Sequence, residues 1–230
     1  MSTSPKIKLV YFDIEGVAEQ VRLALTLSGI EFEDERVAFP QWQEMKPTTP
    51  YGSLPIMYVD DETEPRTQSG AMVRYVANLK PEVGLYPADK LYVIEEAMGL
   101  LGDLTRAWSP SLYLSMRPQN FGYPEGFNQT DEGKLKIKEM REKFLAEHLP
   151  TFLQYIADFI DKHGGGQFLC GDKPTIADCL AVPTLRNFTR GHIDHVPSNC
   201  LEIEPRIVDY VKRFCSLPEI KGRYTSGLTE

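Results

Sequence analysis

The sequence predicts an α/β unit built on a small mixed sheet over residues 1–81, followed by an all-helical unit over residues 88–230. Three observations predict it. Before residue 80, strand-like runs alternate with segments of helical spacing. Lys80-Pro81 and Pro87 then punctuate a linker. Beyond Pro87, every periodic segment reads as helix.

Lys6 to Phe12 alternates and is rich in apolar residues, so it reads as a strand. Gly16 to Ser28 carries Val17, Val21, Ala24 and Leu25 on one helical face, with Gly29 as its C-terminal cap. Phe32 to Val37 is a second strand, and a strand–helix–strand unit is expected to be a right-handed crossover between parallel strands. A proline-studded connection holding Trp42 and Lys46 follows. Pro55 to Val59 is a third strand. Asp60, Asp61 and Glu62 turn the chain into a short antiparallel strand at Glu64 to Thr67. Ser69 to Leu79 closes the unit as a helix with Ala71, Met72, Tyr75, Val76 and Leu79 on its apolar face.

In the second unit, Leu91 to Arg106 is a long helix and Arg117 to Gln129 is a loop rich in Pro, Gly and Asn. Lys134 to His163 is a second long helix, kinked or divided at Pro150 and stopped by Gly164, Gly165 and Gly166. Thr175 and Asp178 form a capping-box pattern that opens another helix, and Pro205 to Cys215 is a further one.

Composition narrows the function. The chain has 230 residues, 42% of them hydrophobic and 25% charged, which is ordinary for a soluble globular protein. Its net charge of −8 argues against a nucleic-acid or anionic-membrane surface. The cluster Lys134, Lys136, Lys138, Arg141 and Lys143 is interleaved with Glu139 and Glu142 and reads as a solvated helix face. No apolar run approaches the roughly 20 residues of a membrane span, and the polar start gives no expectation of a secretory leader. Cys170, Cys179, Cys200 and Cys215 lack paired spacing, so free thiols in a reducing cytoplasm are expected rather than disulfides or zinc. The four histidines show no metal-ligand spacing.

The stretch from Ser53 to Ser69 carries the most specific chemistry. Pro55 cannot donate a ladder hydrogen bond, which marks an edge or a special bend. A cis bond to Leu54 would expose the Leu54 backbone to a partner strand. Ser69 stands at a helix N-terminus, where unpaired N–H groups face an anion. Together they describe a cradle for a small extended peptide with a carboxylate.

Here a family resemblance enters. Leu9-Val10-Tyr11-Phe12, Ala18-Glu19 with Arg22, Trp42 with Lys46, Gly52-Ser53-Leu54-Pro55, Gln68-Ser69 with Arg74-Tyr75, and Thr175-Ile176-Ala177-Asp178 occur in the order found in cytosolic glutathione transferases. Each piece is weak, but the ordered set spans nearly the whole chain. The chain resembles the tyrosine-using classes, and is most similar to the sigma-like group. The resemblance implies a thioredoxin-like N-terminal domain (β-α-β-β-β-α) that binds glutathione. It also implies an all-α domain that contributes a hydrophobic substrate pocket, a homodimer, and a cytoplasmic location. Glutathione is then the cosubstrate and a small hydrophobic electrophile the substrate, with no metal, nucleic acid or membrane as partner.

The resemblance assigns Tyr11 the catalytic role of donating its hydroxyl to the glutathione sulfur; read alone, Tyr11 also fits a core aromatic. A free thiol titrates near pH ~8.5, so a hydrogen bond to the thiolate raises the reactive fraction at neutral pH. Gln68 and Ser69 match positions that hold the γ-glutamyl carboxylate, and Ser53, Leu54 and Pro55 match the edge that pairs with the cysteinyl backbone. Trp42 and Lys46 match positions at the glycyl end. Asp103 matches an aspartate that reaches the partner subunit's glutathione; an exposed helix face is the other reading. Phe12, Ile14, Leu104, Trp108 and Leu112 are candidates for the pocket or, equally, for core. The long loop Arg117 to Gln129 is placed to cover that cleft.

One departure stands out. Many tyrosine-type members of the resembling family carry an arginine four residues after the tyrosine, near the sulfur, where this chain has Glu15. A carboxylate beside a thiolate raises the thiol pKa. Glu15 therefore points to solvent, or activation is weaker, or another cation compensates. The expected activity is conjugation of the thiolate to electrophilic carbon. Glutathione-dependent isomerisation or peroxide reduction, or a non-catalytic ligand-binding role, are the alternatives.

Overall fold

The computed structural model describes residues 5–224. The first strand, β1 (Ile7–Phe12), lies inside a four-stranded sheet. It pairs in parallel with β2 (Phe32–Val37), with Ile7 opposite Phe32. On its other side it pairs antiparallel with β3 (Ile56–Val59), which pairs with the short β4 (Arg66–Thr67). The order is β2-β1-β3-β4. As the sequence predicts, the sheet is mixed.

Alternation along β1 divides two cores. Ile7, Leu9 and Tyr11 face the main core, shared with α1 (Glu19–Leu27) and α3 (Ser69–Leu79). Val10 faces the opposite side, with Val37, Ile56 and Trp42. That second face explains an element the sequence reading missed. The expected connection around Trp42 contains a helix, α2 (Phe39–Met45), with Pro40 in its first turn. Burial of Trp42 against the outer face of the sheet holds this short helix in place, a contact that local sequence does not disclose.

The helical unit begins with α4 (Leu91–Met116), which runs ten residues past the expected end at Arg106 and through Pro110. Pro110 leaves the Arg106 carbonyl without its helical donor. The Ser109 hydroxyl donates to that carbonyl at 3.4 Å, so the helix continues. Helix α5 (Asp131–Lys143) is capped by the Thr130 hydroxyl, which accepts from Gly133 N–H at 3.0 Å. A π-helical turn, Phe144–His148, joins α5 to α6 (Leu149–Gly164) just upstream of Pro150, so the expected division of the long helix is real. Gly165, at φ 57°, ends α6 in the left-handed conformation.

Helices α7 (Ile176–Arg186) and α8 (Pro205–Cys215) complete the unit. The predicted capping box opens α7 and reaches deeper than a cap. The buried Asp178 carboxylate accepts from Thr175 N–H at 2.7 Å, from Leu169 N–H at 2.9 Å and from the Tyr210 hydroxyl at 2.8 Å, tying α7 to α8. Helix α7 packs against both α1 and α4, which fastens the helical unit to the sheet unit.

A second fastening lies at the end of the described chain. Arg223 donates from Nε and Nη2 to the buried Glu19 carboxylate at 2.5 and 2.8 Å, and the Tyr224 hydroxyl donates to the same group at 2.5 Å. All four cysteines are free thiols; Cys170, Cys179 and Cys215 are buried, which pushes each thiol up and leaves it protonated at neutral pH. Among the described residues no group of His, Cys, Asp or Glu is arranged to hold a metal ion, and no helix is long and apolar enough to cross a membrane.

Candidate functional site

An open cleft of about 1850 Å³ runs between the C-terminal end of β1, helix α2 and the helical unit. That is larger than the roughly 300–1,000 Å³ of a typical small-ligand pocket, so it has room for two ligands at once. Tyr11 lines it near the end of β1. The chain then turns through Glu15 and Gly16 into α1, and this turn sets the tyrosine. A side chain on Gly16 would place its Cβ 2.6 Å from the Tyr11 hydroxyl, and Gly16 has φ 47°. Only glycine admits both the contact and the conformation.

Tyr11 is 7% exposed, and burial raises its hydroxyl above the ordinary tyrosine value. The nearby Val17 backbone N–H and the Arg22 charge pull the other way without cancelling that effect. The hydroxyl therefore stays protonated at neutral pH. A protonated phenol keeps an O–H that it can donate to a ligand.

Trp42, Lys46, Ser53 and Leu54 line the same cleft as Tyr11, although Lys46 is separated from Tyr11 by a strand and two helices in the chain. The Lys46 stem lies 3.6 Å from where a Cβ on Gly52 would be. The Leu54–Pro55 peptide is cis, and Pro55 is buried just before β3. Phe12 stacks on Phe39 with ring centroids 4.9 Å apart and meets Trp42 edge-on at 5.7 Å, so aromatic packing fixes this side.

Gln68 and Ser69 lie at the start of α3. Gln68 has φ 68°, which a residue with a side chain rarely adopts, and its carbonyl opens the helix by accepting from Ala71 and Met72. Neither residue is on the cleft wall; Gln20 connects Ser69 to it. Gln20 lines the cleft, and its Nε2 donates to Ser69 Oγ at 3.1 Å and to the Val17 carbonyl at 3.2 Å. Sequence reasoning missed Gln20. Its signal was a polar residue three positions after Val17, on the apolar face of the predicted helix.

Four of the five candidate pocket residues, Phe12, Ile14, Trp108 and Leu112, line the cleft. Leu104 does not: it is fully buried in the main core, which leaves it no surface for a ligand. Asp103 is exposed outside the cleft and paired with Arg106 at 2.5 Å. From the loop over residues 117–129, Arg117, Asn120, Asn128 and Gln129 reach the cleft. That loop is folded rather than open: Asn128 donates to the Ser115 carbonyl at 2.8 Å, and Tyr123 stacks on Phe127 at 4.0 Å.

Glu15 lines the cleft, but its carboxylate is engaged. Arg190 lies 3.3 Å and Arg186 3.6 Å from it. Burial and Glu19 raise its pKa, and Arg186, Arg190 and Arg223 lower it. The solvent-facing reading of the glutamate is excluded: cations from α7 and the segment after it stand beside its carboxylate, although burial and Glu19 still leave its pKa above the ordinary value.

Comparison with known proteins agrees with this geometry. Residues 7–78 match the glutathione S-transferase N-terminal domain, and residues 125–225 match the glutathione S-transferase C-terminal domain. The glutathione S-transferase class-mu 28 kDa isozyme of Schistosoma japonicum is 31% identical over 186 residues, covering 80% of this chain and 81% of that one. Glutathione S-transferase 1 of Ascaris suum is 30% identical over 224 residues, 94% of each chain. Among solved structures, prostaglandin synthase D of Nilaparvata lugens superposes with a TM-score of 0.75 at 25% identity, covering 95% of this chain and 96% of that one. With the mixed sheet, the cleft at its edge and the helical unit all in the family's arrangement, the chain belongs to the glutathione S-transferases, enzymes with a thioredoxin-like domain that use glutathione as cosubstrate.

Proposed function

We propose that the chain is a tyrosine-type transferase of the sigma-like group, joining the glutathione sulfur to hydrophobic electrophiles with Tyr11 as the residue that stabilises the thiolate. The observation that carries this is the Tyr11 hydroxyl. It is protonated, and it lines the same cleft as Trp42, Lys46, Ser53 and Leu54.

The steps follow from the residues. Residues 1–81 bind glutathione in an extended form, with the Leu54 backbone pairing to its cysteinyl unit and Lys46 and Trp42 holding the glycyl carboxylate. Gln68 and Ser69 hold the γ-glutamyl carboxylate at the start of α3, where the helix dipole favours an anion. The Gln20 amide donates to Ser69 Oγ, which leaves the serine O–H to donate to that carboxylate. The thiol loses its proton to solvent, and the Tyr11 O–H stabilises the thiolate. The sulfur attacks an electron-poor carbon held against Phe12, Ile14, Trp108 and Leu112. With an aryl halide, the carbon–sulfur bond forms and halide leaves. Proximity of two bound reactants supplies much of the rate. The enzyme acts in the cytoplasm as a homodimer in which Asp103, exchanging Arg106 for a ligand, reaches the partner's γ-glutamyl ammonium.

The joint presence of Tyr11, Gln68 and Ser69 argues against a purely structural relative, which has no need of all three. Retention on immobilised glutathione together with turnover of an aryl halide tests the reading. Retention without turnover of the halide, an isomerisable substrate or a peroxide makes the chain a binding protein.

A further inference from the structure

The part of the cleft built by α5 and the segment after α7 contains a buried cation that the conjugation reading does not use. Arg141, on α5, is 5% exposed and lines the cleft. Its Nη1 donates to the Asp194 carbonyl at 2.8 Å, and its Nε has no partner. Among the described residues no carboxylate forms an ion pair with it; the Asp194 charge acts on it only from beyond ion-pair distance. The other two deeply buried arginines differ. Arg22 is held by Glu19 at 3.2 Å and Asp34 at 3.0 Å, and Arg186 lies 3.6 Å from Glu15. A guanidinium stays charged in a protein, and a buried charge without a counterion is strongly unfavourable. Pinning one loop carbonyl does not require a full charge.

The surroundings reinforce the sign. The chain carries a net charge of −8, yet the cleft is lined by Lys46, Arg117, Lys134, Lys138, Arg141 and Arg190 against only Glu15 and Asp194. Glu15 is already neutralised by Arg186 and Arg190. Cations gathered in a cleft with low-dielectric walls focus a positive field there. Apolar groups line the same cleft, among them Ile137, Ile193, Trp108 and Phe188, the last two with ring centroids 5.2 Å apart.

We propose that the preferred electrophile is an amphipathic anion, one whose apolar chain ends in a carboxylate held by Arg141. This rests on the conjugation reading and names the substrate class of the same cleft. With an α,β-unsaturated carbonyl probe, sulfur adds at the β-carbon, the C=C electron pair moves to form the enolate, and the α-carbon takes up one proton from solvent, balancing the proton lost by the thiol. The adduct keeps every other atom of both reactants.

The test uses the full chain and enones of increasing chain length, each as the carboxylate and as its methyl ester, with rates corrected for the uncatalysed addition. The expected result is an acid-to-ester ratio of kcat/KM of about 10 at low salt, falling as salt screens the field. R141M is expected to lower that ratio about fivefold or more, and R141K to keep most of it. A parent ratio near one, or a ratio unmoved by R141M, overturns the proposal. Binding gives a readout that needs no turnover: decanoate and methyl decanoate titrated against tryptophan fluorescence. Tighter binding of decanoate that R141M abolishes supports the anion site even if no electrophile is turned over, a result that would sink the conjugation reading instead. Conjugation of neutral electrophiles with no preference for the acid overturns the anion site alone.

Discussion

Gln20 Nε2 stands 3.1 Å from Ser69 Oγ, a hydrogen bond that joins the first helix to the start of α3 across 49 residues. The Val17 carbonyl, 3.2 Å from the same nitrogen, fixes which end of the amide faces the serine. The remaining end, Oε1, is buried without a partner. A buried unsatisfied acceptor is costly, so the amide is held there for its donor.

If this bond orients the Ser69 hydroxyl toward glutathione, Gln20→Leu raises KM for glutathione roughly 3–10-fold, the effect of about one hydrogen bond. Ser69→Ala does the same. The two effects are strongly sub-additive in the double variant, since one hydroxyl mediates both. Steady-state kinetics with varied glutathione measures the cycle, and full additivity refutes the coupling.

Tyr11→Phe removes the donor to the thiolate. A hydrogen bond to a charged group is worth about 1.5–3 kcal/mol, so the pKa of bound glutathione rises by roughly one to two units. Turnover at neutral pH drops with it while glutathione affinity changes little. Thiolate absorbance against pH reads the shift directly. Gly16→Ala brings a Cβ against the same hydroxyl and is expected to lower turnover in the same way, without removing the oxygen.

Acid is expected to loosen the chain through Glu19. Burial works to raise its pKa, but hydrogen bonds and charge from Arg223, with Tyr224 and Arg22, outweigh it and hold the carboxyl below its ordinary value. A depressed folded pKa contributes stability above the unfolded value, near pH ~4.3, and loses it as pH falls through the folded value. Glu19→Gln costs on the order of 3 kcal/mol near pH 7, because it strands Arg223. It also flattens the fall in Tm below pH ~4.3. Melting curves from pH 3 to 7 for parent and variant check both statements; parallel curves exclude Glu19 as the acid-sensitive group.

How much of this was legible in the sequence depended on the range of each interaction. The helix at Ser69, the capping box at Thr175 and Asp178, and the end of α6 at Gly165 all rest on residues within a few positions of each other. Tyr11 and the Trp42–Lys46 pair were legible only through the order of several weak motifs. Gln20, Arg190 and Arg141 were not legible as site residues, because their partners are brought up by other elements. Arg141 meets the Asp194 carbonyl 53 residues away, and Glu19 meets Arg223 204 residues away.

Residue pattern alone determined the mixed α/β unit, the helical unit and the family's ordered motifs, because strand alternation, helical spacing and caps are local rules. Tertiary structure decided which side chains face a ligand. Leu104, Trp108 and Leu112 fall at i, i+4 and i+8 on one stripe of α4, so periodicity treats them alike. The elements packed over each position bury Leu104 completely and leave Trp108 and Leu112 on the cleft wall. Glu15 was decided in the same way. The sequence places a carboxylate near the sulfur, and only the approach of Arg186 and Arg190 from α7 and beyond supplies its counter-charge.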